Sequence, residues 1–330
     1  MPGLDVQHLS VEFHTEGGVL QAVRDISFTL KPGHTLAIVG ESGSGKSVTG
    51  RAILGILEHN ARVTSGHILY DARDLLQLSE EQMVPLRGSR IAMVFQDPLS
   101  SLDPLMRIGG QITEVMRLKL GMSAANAKEK ALTLLQEVGI ADPVRCFHQF
   151  PHQLSGGMRQ RIVIAIALAA DPEILICDEP TTALDVTIQA QILELLERLK
   201  QQRQLSMLFI THDFGVVAQV ADDVAVMYAG KIVEYGTVDD IFYDPRHPYT
   251  RALLRATPDP DSDKRLYAIP GTPPNMLRPP VGDAFAARNE EAMEIDYLRQ
   301  PPIFTISDTH WAATWLLHPD APKTGGNYGR

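Results

Sequence analysis

The eight residues GESGSGKS, Gly40 to Ser47, set three glycines, a lysine and a closing serine directly behind the apolar run TLAIV. A glycine-rich turn between a buried strand and a helix start is the phosphate-cradling pattern G-x-x-x-x-G-K-[ST]. Gly40, Gly43 and Gly45 permit backbone angles that a Cβ forbids, so the chain from Gly40 through Glu41, Ser42 and Ser44 can wrap an anion with its own N–H groups. The helix that follows, through Val48, turns its positive end toward the same anion. Lys46 supplies a point charge for two phosphates, and the Ser47 hydroxyl suits Mg2+.

Two further stretches carry related chemistry. In ILICDEP a buried strand ends on Asp178 and Glu179, which places two carboxylates at the edge where α/β proteins bind ligands. Asp178 suits a Mg2+ shell, and Glu179, one residue on, is placed to polarise an attacking water. In LSGGMRQR, Ser155 can cap the helix that begins with the apolar run IVIAIALA, while Gly156 and Gly157 expose N–H groups beside its positive end. By itself a Ser-Gly-Gly before a helix is a common cap, and two acids ending a strand are a common solvated edge. Behind a phosphate loop, in this order, they describe a chain with two anion-binding surfaces. Such a chain binds two nucleotides or shares them across a dimer.

The elements that must position these residues alternate. LDVQHLSVEF and AVRDISFTL alternate apolar with polar and read as antiparallel strands with one wet face. TLAIVG, IAMVFQ (91–96), EILICDEP and SMLFITHD are short buried strands separated by helical patterns, which implies a mostly parallel α/β sheet. Residues 98–153 turn to helical periods and interrupt it as a subdomain on one side. VAVMYAGKIVEYG reads as a hairpin turning at Ala229-Gly230. After about residue 245 the chain becomes proline-rich.

Bulk properties exclude more than they select. The chain has 330 residues and a net charge of −10, which disfavours a nucleic-acid-coating protein. No apolar run approaches the roughly 18–20 residues of a membrane span, and MPGLDVQHLS lacks the regions of a secretory signal. Two cysteines, Cys146 and Cys177, stand without metal-type spacing and fit a reduced, cytoplasmic chain.

With the phosphate loop, LSGGMRQR and ILICDEP in this order, the sequence resembles the nucleotide-binding subunit of an ATP-binding cassette (ABC) transporter. The resemblance implies ATP and Mg2+ as ligands. It also gives roles to further residues. Gln96 in VFQDP matches the glutamine near Mg2+ and the membrane-subunit interface. Thr182-Ala183-Leu184-Asp185 matches the D-loop, and His212 in FITHD matches the switch histidine that contacts the γ-phosphate. Phe13 is the candidate for the aromatic that stacks on adenine, since such stacking tolerates Phe or Tyr; it also reads as a core strand residue. The family implies two such domains meeting head to tail, with ATP held between Lys46 of one and Ser155 of the other. Every catalytic position is filled, so a hydrolysis-competent site is expected, with Glu179, His212 and Gln96 catalytic and Ser47, Gln96 and Asp178 around the metal.

The tail narrows the resemblance. FYDPRHPYTRALLRATP (242–258) and IPGTPPN (269–275), with ARVTSGHILYDARDLL (61–76), are similar to the oligopeptide and dipeptide importer ATPases, D type. This implies a membrane complex of a second, F-type ATPase, two permeases and an extracytoplasmic peptide-binding protein, with this chain peripheral on the cytoplasmic face and no nucleic acid involved. Nickel importers use similar ATPases, and a soluble, non-transport ABC ATPase is the more distant alternative. The expected division is an α/β P-loop NTPase core (1–97 and 154–245) with an antiparallel β subdomain, a helical subdomain (98–153) and a C-terminal extension (246–330). Many relatives carry tail cysteines spaced for an iron–sulfur cluster. Here those positions are Asp283, Asn289, Asp296 and Thr314, so no cluster is expected. Ion pairs or hydrogen bonds from Asp283, Arg288 and Asp296, with apolar packing of Phe285, Tyr297, Trp311 and Trp315, are expected to hold the tail instead; alternatively the acids are simply solvated.

Overall fold

A computed structural model of the chain describes residues 3–182, 184–257 and 267–322. The strands are β1 (Leu4–Thr15), β2 (Gly18–Leu30), β3 (Thr35–Val39), β4 (Ala61–Tyr70), β5 (Arg73–Asp74), β6 (Ile91–Val94), β7 (Ile174–Asp178), β8 (Ser206–Thr211), β9 (Asp223–Tyr228), β10 (Lys231–Thr237), β11 (Phe304–Thr305) and β12 (Trp311–Ala312). They form two sheets, one ordered β2-β1-β4-β5 and one ordered β11-β12-β10-β9-β3-β8-β7-β6.

In the larger sheet β6, β7, β8, β3 and β9 run parallel. All residues of β3, β7, β8 and β9 are buried, which is why their sequences are continuous apolar runs rather than alternating ones. Their parallel order brings the loops after β3, β6, β7 and β8 to one carboxyl edge. β9 turns into β10 through Ala229 and Gly230, with φ of 47° and 81°, the signs a tight hairpin needs. The smaller sheet is antiparallel, and Leu4, Val6, Leu9 and Val11 of β1 face the core. That core runs between the two sheets and takes in Ile53 of the helix Lys46–Leu54. Gly55, in the left-handed region at φ 61°, stops this helix.

Helices occupy most of 98–148, including Ile108–Leu120, Ala124–Glu137 and Pro143–His148. They share a second core with the helix Gly156–Leu168, the buried IVIAIALA run, and with the helix Val186–Arg203. A third core lies beyond β9, where the C-terminal extension contributes Tyr249 and Phe285. A buried carboxylate is one of the extension's fastenings. Glu234 of β10, fully buried, accepts hydrogen bonds from the backbone N–H groups of Arg246 (2.6 Å) and His247 (3.0 Å), and its Oε1 lies 2.9 Å from His310 Nε2.

The four tail positions discussed above serve turns. Asp283 Oδ1 accepts from Phe285 N at 3.0 Å, Asn289 Oδ1 from Glu291 N at 3.0 Å, Asp296 Oδ2 from Met293 N at 2.6 Å and Thr314 Oγ1 from Leu316 N at 3.3 Å. Short oxygen-bearing side chains are suited to this local bonding. Asp283 and Asp296 are therefore neither solvated nor shown in ion pairs: both are buried, and burial raises the Asp296 pKa above the ordinary carboxylate value. Phe285 is in the core and Trp311 stacks on Tyr235 at 6.1 Å. The indole nitrogen of Trp315 donates to Arg299 O at 3.0 Å. Tyr297 differs from the expectation of packing. It stays 56% exposed, held by its hydroxyl, which donates to the Ala286 carbonyl at 3.2 Å.

Candidate functional site

A cleft of about 1040 Å³ opens at the carboxyl edge of the parallel strands. The phosphate loop forms its floor. The loop leaves β3 and enters the helix Lys46–Leu54 through Gly45, which holds φ of 105°. A Cβ there would overlap the Ala22 carbonyl oxygen and stand 2.7 Å from Met227 Cε. A Cβ at Gly40 would overlap the Met227 carbonyl oxygen. Glycine at both is a steric requirement of threading the loop between β2 and β9.

Lys46 is 4% exposed, and its Nζ donates to the carbonyls of Gly40 (2.7 Å) and Glu41 (2.9 Å). Burial lowers its pKa below the ordinary lysine value, while the charges of Glu179, Asp178 and Glu41 pull it back. An anion in the loop would oppose the lowering. The Ser44 hydroxyl is buried and has no hydrogen-bond partner among the described residues.

Ser47 Oγ donates to Asp178 Oδ1 at 2.7 Å, joining the loop to the end of β7. Asp178 is 2% exposed, and burial raises its pKa above the ordinary carboxylate value. A hydroxyl and a desolvated carboxylate are hard oxygen donors of the kind Mg2+ takes. A cation there would relieve the desolvation that the Ser47 bond relieves in part. Among the described residues no ready-made cluster of three metal-binding side chains is present; this donor set would be completed by phosphate oxygens and water.

Glu179 is the hub of the remaining chemistry. It follows β7 with φ of 47°, a left-handed conformation uncommon outside glycine, while its N–H donates to Ile210 O of β8 at 2.9 Å. The turn swings its side chain over the cleft. Oε2 accepts from Gln96 Nε2 and from Thr182 Oγ1, each at 2.9 Å, and Oε1 lies 3.2 Å from His212 Nδ1. The expected strand IAMVFQ ends at Val94, so Phe95 and Gln96 project past the sheet edge, and this projection is what lets Gln96 reach Glu179. His212 follows β8 and stands half exposed beside the cleft.

The structure thus brings together Gly40–Gly43, Gly45–Val48, Gln96, Glu179 and His212 on one cleft, with Asp178 directly behind Ser47. Phe13 lies on β1 at the far end; it lines the cleft and also packs on the core between the sheets, so both readings of it hold. Ser155, Gly156 and Gly157 do not join them. Ser155 caps the helix Gly156–Leu168, its Oγ accepting from Met158 N at 3.3 Å; Ser155 and Gly156 are exposed and Gly157 half-buried, and none of the three lines its own chain's cleft. Of the D-loop, Thr182 holds Glu179 and Asp185 caps the helix Val186–Arg203; Ala183 lies outside the described residues.

Sequence reasoning did not place Thr182 on the Glu179 carboxylate, and it did not place the C-terminal extension at the cleft. Pro273, Pro274, Asn275 and Met276 line it. Arg288, 6% exposed, grips Glu41 of the phosphate loop with both terminal nitrogens, at 2.6 and 2.9 Å. Tyr249, fully buried, accepts from the Glu41 N–H at 2.8 Å. The stretches RHPYT and IPGTPP were the available signal, but nothing in them points to a loop some 200 residues earlier.

Residues 23–182 match the family described as ABC transporter, and residues 233–295 match that described as oligopeptide/dipeptide transporter, C-terminal region. The chain is 58% identical to the dipeptide transport ATP-binding protein DppD of Lactococcus lactis subsp. cremoris over 97% of its own length and 92% of that protein's. It is 57% identical to the oligopeptide transport ATP-binding protein OppD of Bacillus subtilis, over 97% and 90%. The ATP-binding cassette MJ0796, solved as a dimer in a post-hydrolysis state bound to ADP and Pi, is 26% identical with a TM-score of 0.64, covering 71% of this chain and 98% of that one.

Proposed function

The chain belongs to the ABC transporter family, in its oligopeptide/dipeptide branch, and from that premise we propose how it works as the ATP-hydrolysing subunit that powers peptide import. The observation that carries the reading is the convergence of Lys46, Ser47, Gln96, Glu179 and His212 on one cleft.

ATP enters with its triphosphate on the loop. Lys46 exchanges the Gly40 and Glu41 carbonyls for β- and γ-phosphate oxygens, and the loop N–H groups and helix start hold the rest. Ser47 and Asp178 would hold Mg2+, which when bound neutralises phosphate charge. Glu179 orients a water, with Gln96 and Thr182 fixing its carboxylate. The water oxygen bonds to the γ-phosphorus as the bond to the bridging oxygen breaks; that electron pair stays on ADP, and the water proton passes to Glu179. His212 contacts the γ-phosphate side and reports its presence through Glu179.

Because Ser155, Gly156 and Gly157 line no part of their own cleft, with Ser155 and Gly156 exposed, they serve the ATP of a second ATPase, of F type, in a head-to-tail pair. Closing on ATP and opening after hydrolysis drives two permease subunits fed by an extracytoplasmic peptide-binding protein. No helix among the described residues is long and apolar enough to cross a membrane, in keeping with a peripheral place on the cytoplasmic face. In this reading the core is 1–97 with 154–245, residues 98–153 meet the permease, and 246–330 is the extension.

Uptake of a labelled oligopeptide by cells carrying Lys46→Ala tests it, beside wild type and a strain lacking the chain. Loss of uptake with the complex still assembled is expected. Undiminished uptake would sink the peptide-motor reading and move the cargo to nickel or another solute.

A further inference from the structure

The C-terminal extension does not only dock on the ATPase core: we propose that it completes the ATP site, with Pro273–Met276 forming a wall at the base end of the cleft and Arg288 setting that wall against the phosphate loop. This rests on reading the cleft as an ATP site.

The cleft has two ends. The phosphate loop, Gln96, Glu179 and His212 make one. Phe13 and Leu20, on β1 and β2, line the other together with Pro273–Met276. A triphosphate on the loop leaves base and ribose to that second end. The wall is built from short-range geometry. Prolines at 273 and 274 remove two backbone donors and stiffen the segment. Asn275 closes a turn through Oδ1, which accepts from Leu277 N at 2.9 Å. Met276 O then accepts from Gln21 N of β2 at 3.2 Å, so the segment lies beside the strand that carries Leu20. The exposed faces of Pro273 and Asn275 and the half-buried Met276 leave apolar and amide surface facing the cleft, a surface suited to a heterocycle and its sugar.

Arg288 links this wall to the opposite end. Its Nε donates to Pro270 O at 2.8 Å, at the root of the segment. Its terminal nitrogens hold both Glu41 carboxylate oxygens, and one also donates to Tyr228 Oη at 3.2 Å. The guanidinium lies 5.7 Å over the Tyr228 ring and 5.8 Å over that of Phe285. A buried cation so fully paired has one low-energy arrangement. Glu41 is the second residue of the loop. Its carboxylate is held by Arg288 and its N–H by Tyr249, while its carbonyl accepts from Lys46. Its carboxylate and its N–H are thus committed to the extension, while its carbonyl is the group Lys46 releases when a phosphate enters. Arg288 is accordingly a positioning residue: it fixes the spacing between base wall and phosphate loop.

A bare triphosphate fills only one end, so it separates the two roles. Equilibrium binding of ATP and of inorganic tripolyphosphate, each with Mg2+, to the full chain and to Met276→Ala and Arg288→Ala provides the test. Met276→Ala removes apolar contact at the base end together with packing on the third core; it should weaken ATP about fivefold and leave tripolyphosphate, which does not reach that end, unchanged. Arg288→Ala should weaken both by about tenfold or more, because it frees Glu41 as well as the wall, and Arg288→Lys should not restore them, lacking the two-pronged grip. If Arg288→Ala does not fold, Met276→Ala decides alone. Equal losses of both ligands in Met276→Ala, or no loss of ATP, would overturn the wall. A wild-type chain that binds neither ligand would overturn the ATP reading itself, a different failure.

Discussion

Replacing Glu179 by glutamine separates its chemistry from its structure. The carboxylate accepts three side-chain bonds: Oε2 from Gln96 Nε2 and Thr182 Oγ1 at 2.9 Å each, and Oε1 at 3.2 Å from His212 Nδ1. An amide of the same shape keeps its oxygen toward Gln96 and Thr182 and turns its NH2 toward His212, whose neutral ring can accept at Nδ1. The glutamine N–H can still donate to Ile210 O, so the strained φ of 47° survives. Little stability is lost, but the group proposed to take the water proton is gone. General-base catalysis contributes roughly 10²- to 10⁴-fold, or about 3–5 kcal/mol of barrier. Turnover should fall by that factor. ATP affinity should not fall, because one negative charge leaves a cleft that must accept a triphosphate. Phosphate release in single-turnover and steady-state assays gives the rate, and ATP retained on a filter gives the binding. Turnover within threefold of wild type would refute the role of Glu179. So would a loss that sits entirely in KM, which would mark the residue as part of binding.

Ser47→Ala removes the donor to Asp178 and one proposed Mg2+ oxygen; the free Mg2+ needed for half-maximal ATPase should rise about tenfold or more, and an unchanged Mg2+ titration would remove Ser47 from the proposed metal shell. Gly45→Ala forces a Cβ against the Ala22 carbonyl and Met227 at φ 105°; thermal melts and ATP titration should show destabilisation of about 2–3 kcal/mol with loss of binding, and a variant of wild-type stability and affinity would contradict this packing. Glu234→Ala strips the Arg246 and His247 N–H groups of a buried acceptor; chemical denaturation should lose about 3–5 kcal/mol, and less than about 1 would show that the extension is held elsewhere. His247 is fully buried, and burial lowers its pKa below the ordinary imidazole value of about 6.5. As pH falls below that value the unfolded chain takes up a proton that the folded chain refuses, so stability declines with falling pH by up to about 1.4 kcal/mol per unit until the folded pKa is reached. Melting curves from pH 7.5 to 5 should fall less steeply for His247→Asn, whose oxygen can still accept from Tyr249 N; an identical slope would exclude His247 as the titrating group.

The phosphate loop, the acids after β7, the helix cap at Ser155 and the histidine after β8 were legible because each is a local arrangement of strand, turn and helix. The hairpin at Ala229-Gly230 was legible for the same reason. Strand ends were less so: IAMVFQ reads as six strand residues, yet hydrogen bonding stops at Val94. The tail was least legible. Asp283, Asn289, Asp296 and Thr314 suggest loss of one chemistry, but only the folded backbone shows each of them closing a turn.

The order of residues by itself determined which chemistry is on offer, a lysine and serine in a phosphate loop and two carboxylates ending a strand, and it marked Gly40 and Gly45 through the loop pattern; why no Cβ fits at those two positions is tertiary, since the Met227 and Ala22 carbonyls stand there. Tertiary structure decided which groups meet. Arg288 and Glu41 are 247 residues apart, and Ser155 lies away from the cleft of its own chain. Pairings over such separations leave no local periodicity or turn signature. They follow from the burial of Tyr249 and Phe285 against β9, which seats the extension so that a buried guanidinium finds its one carboxylate in the phosphate loop.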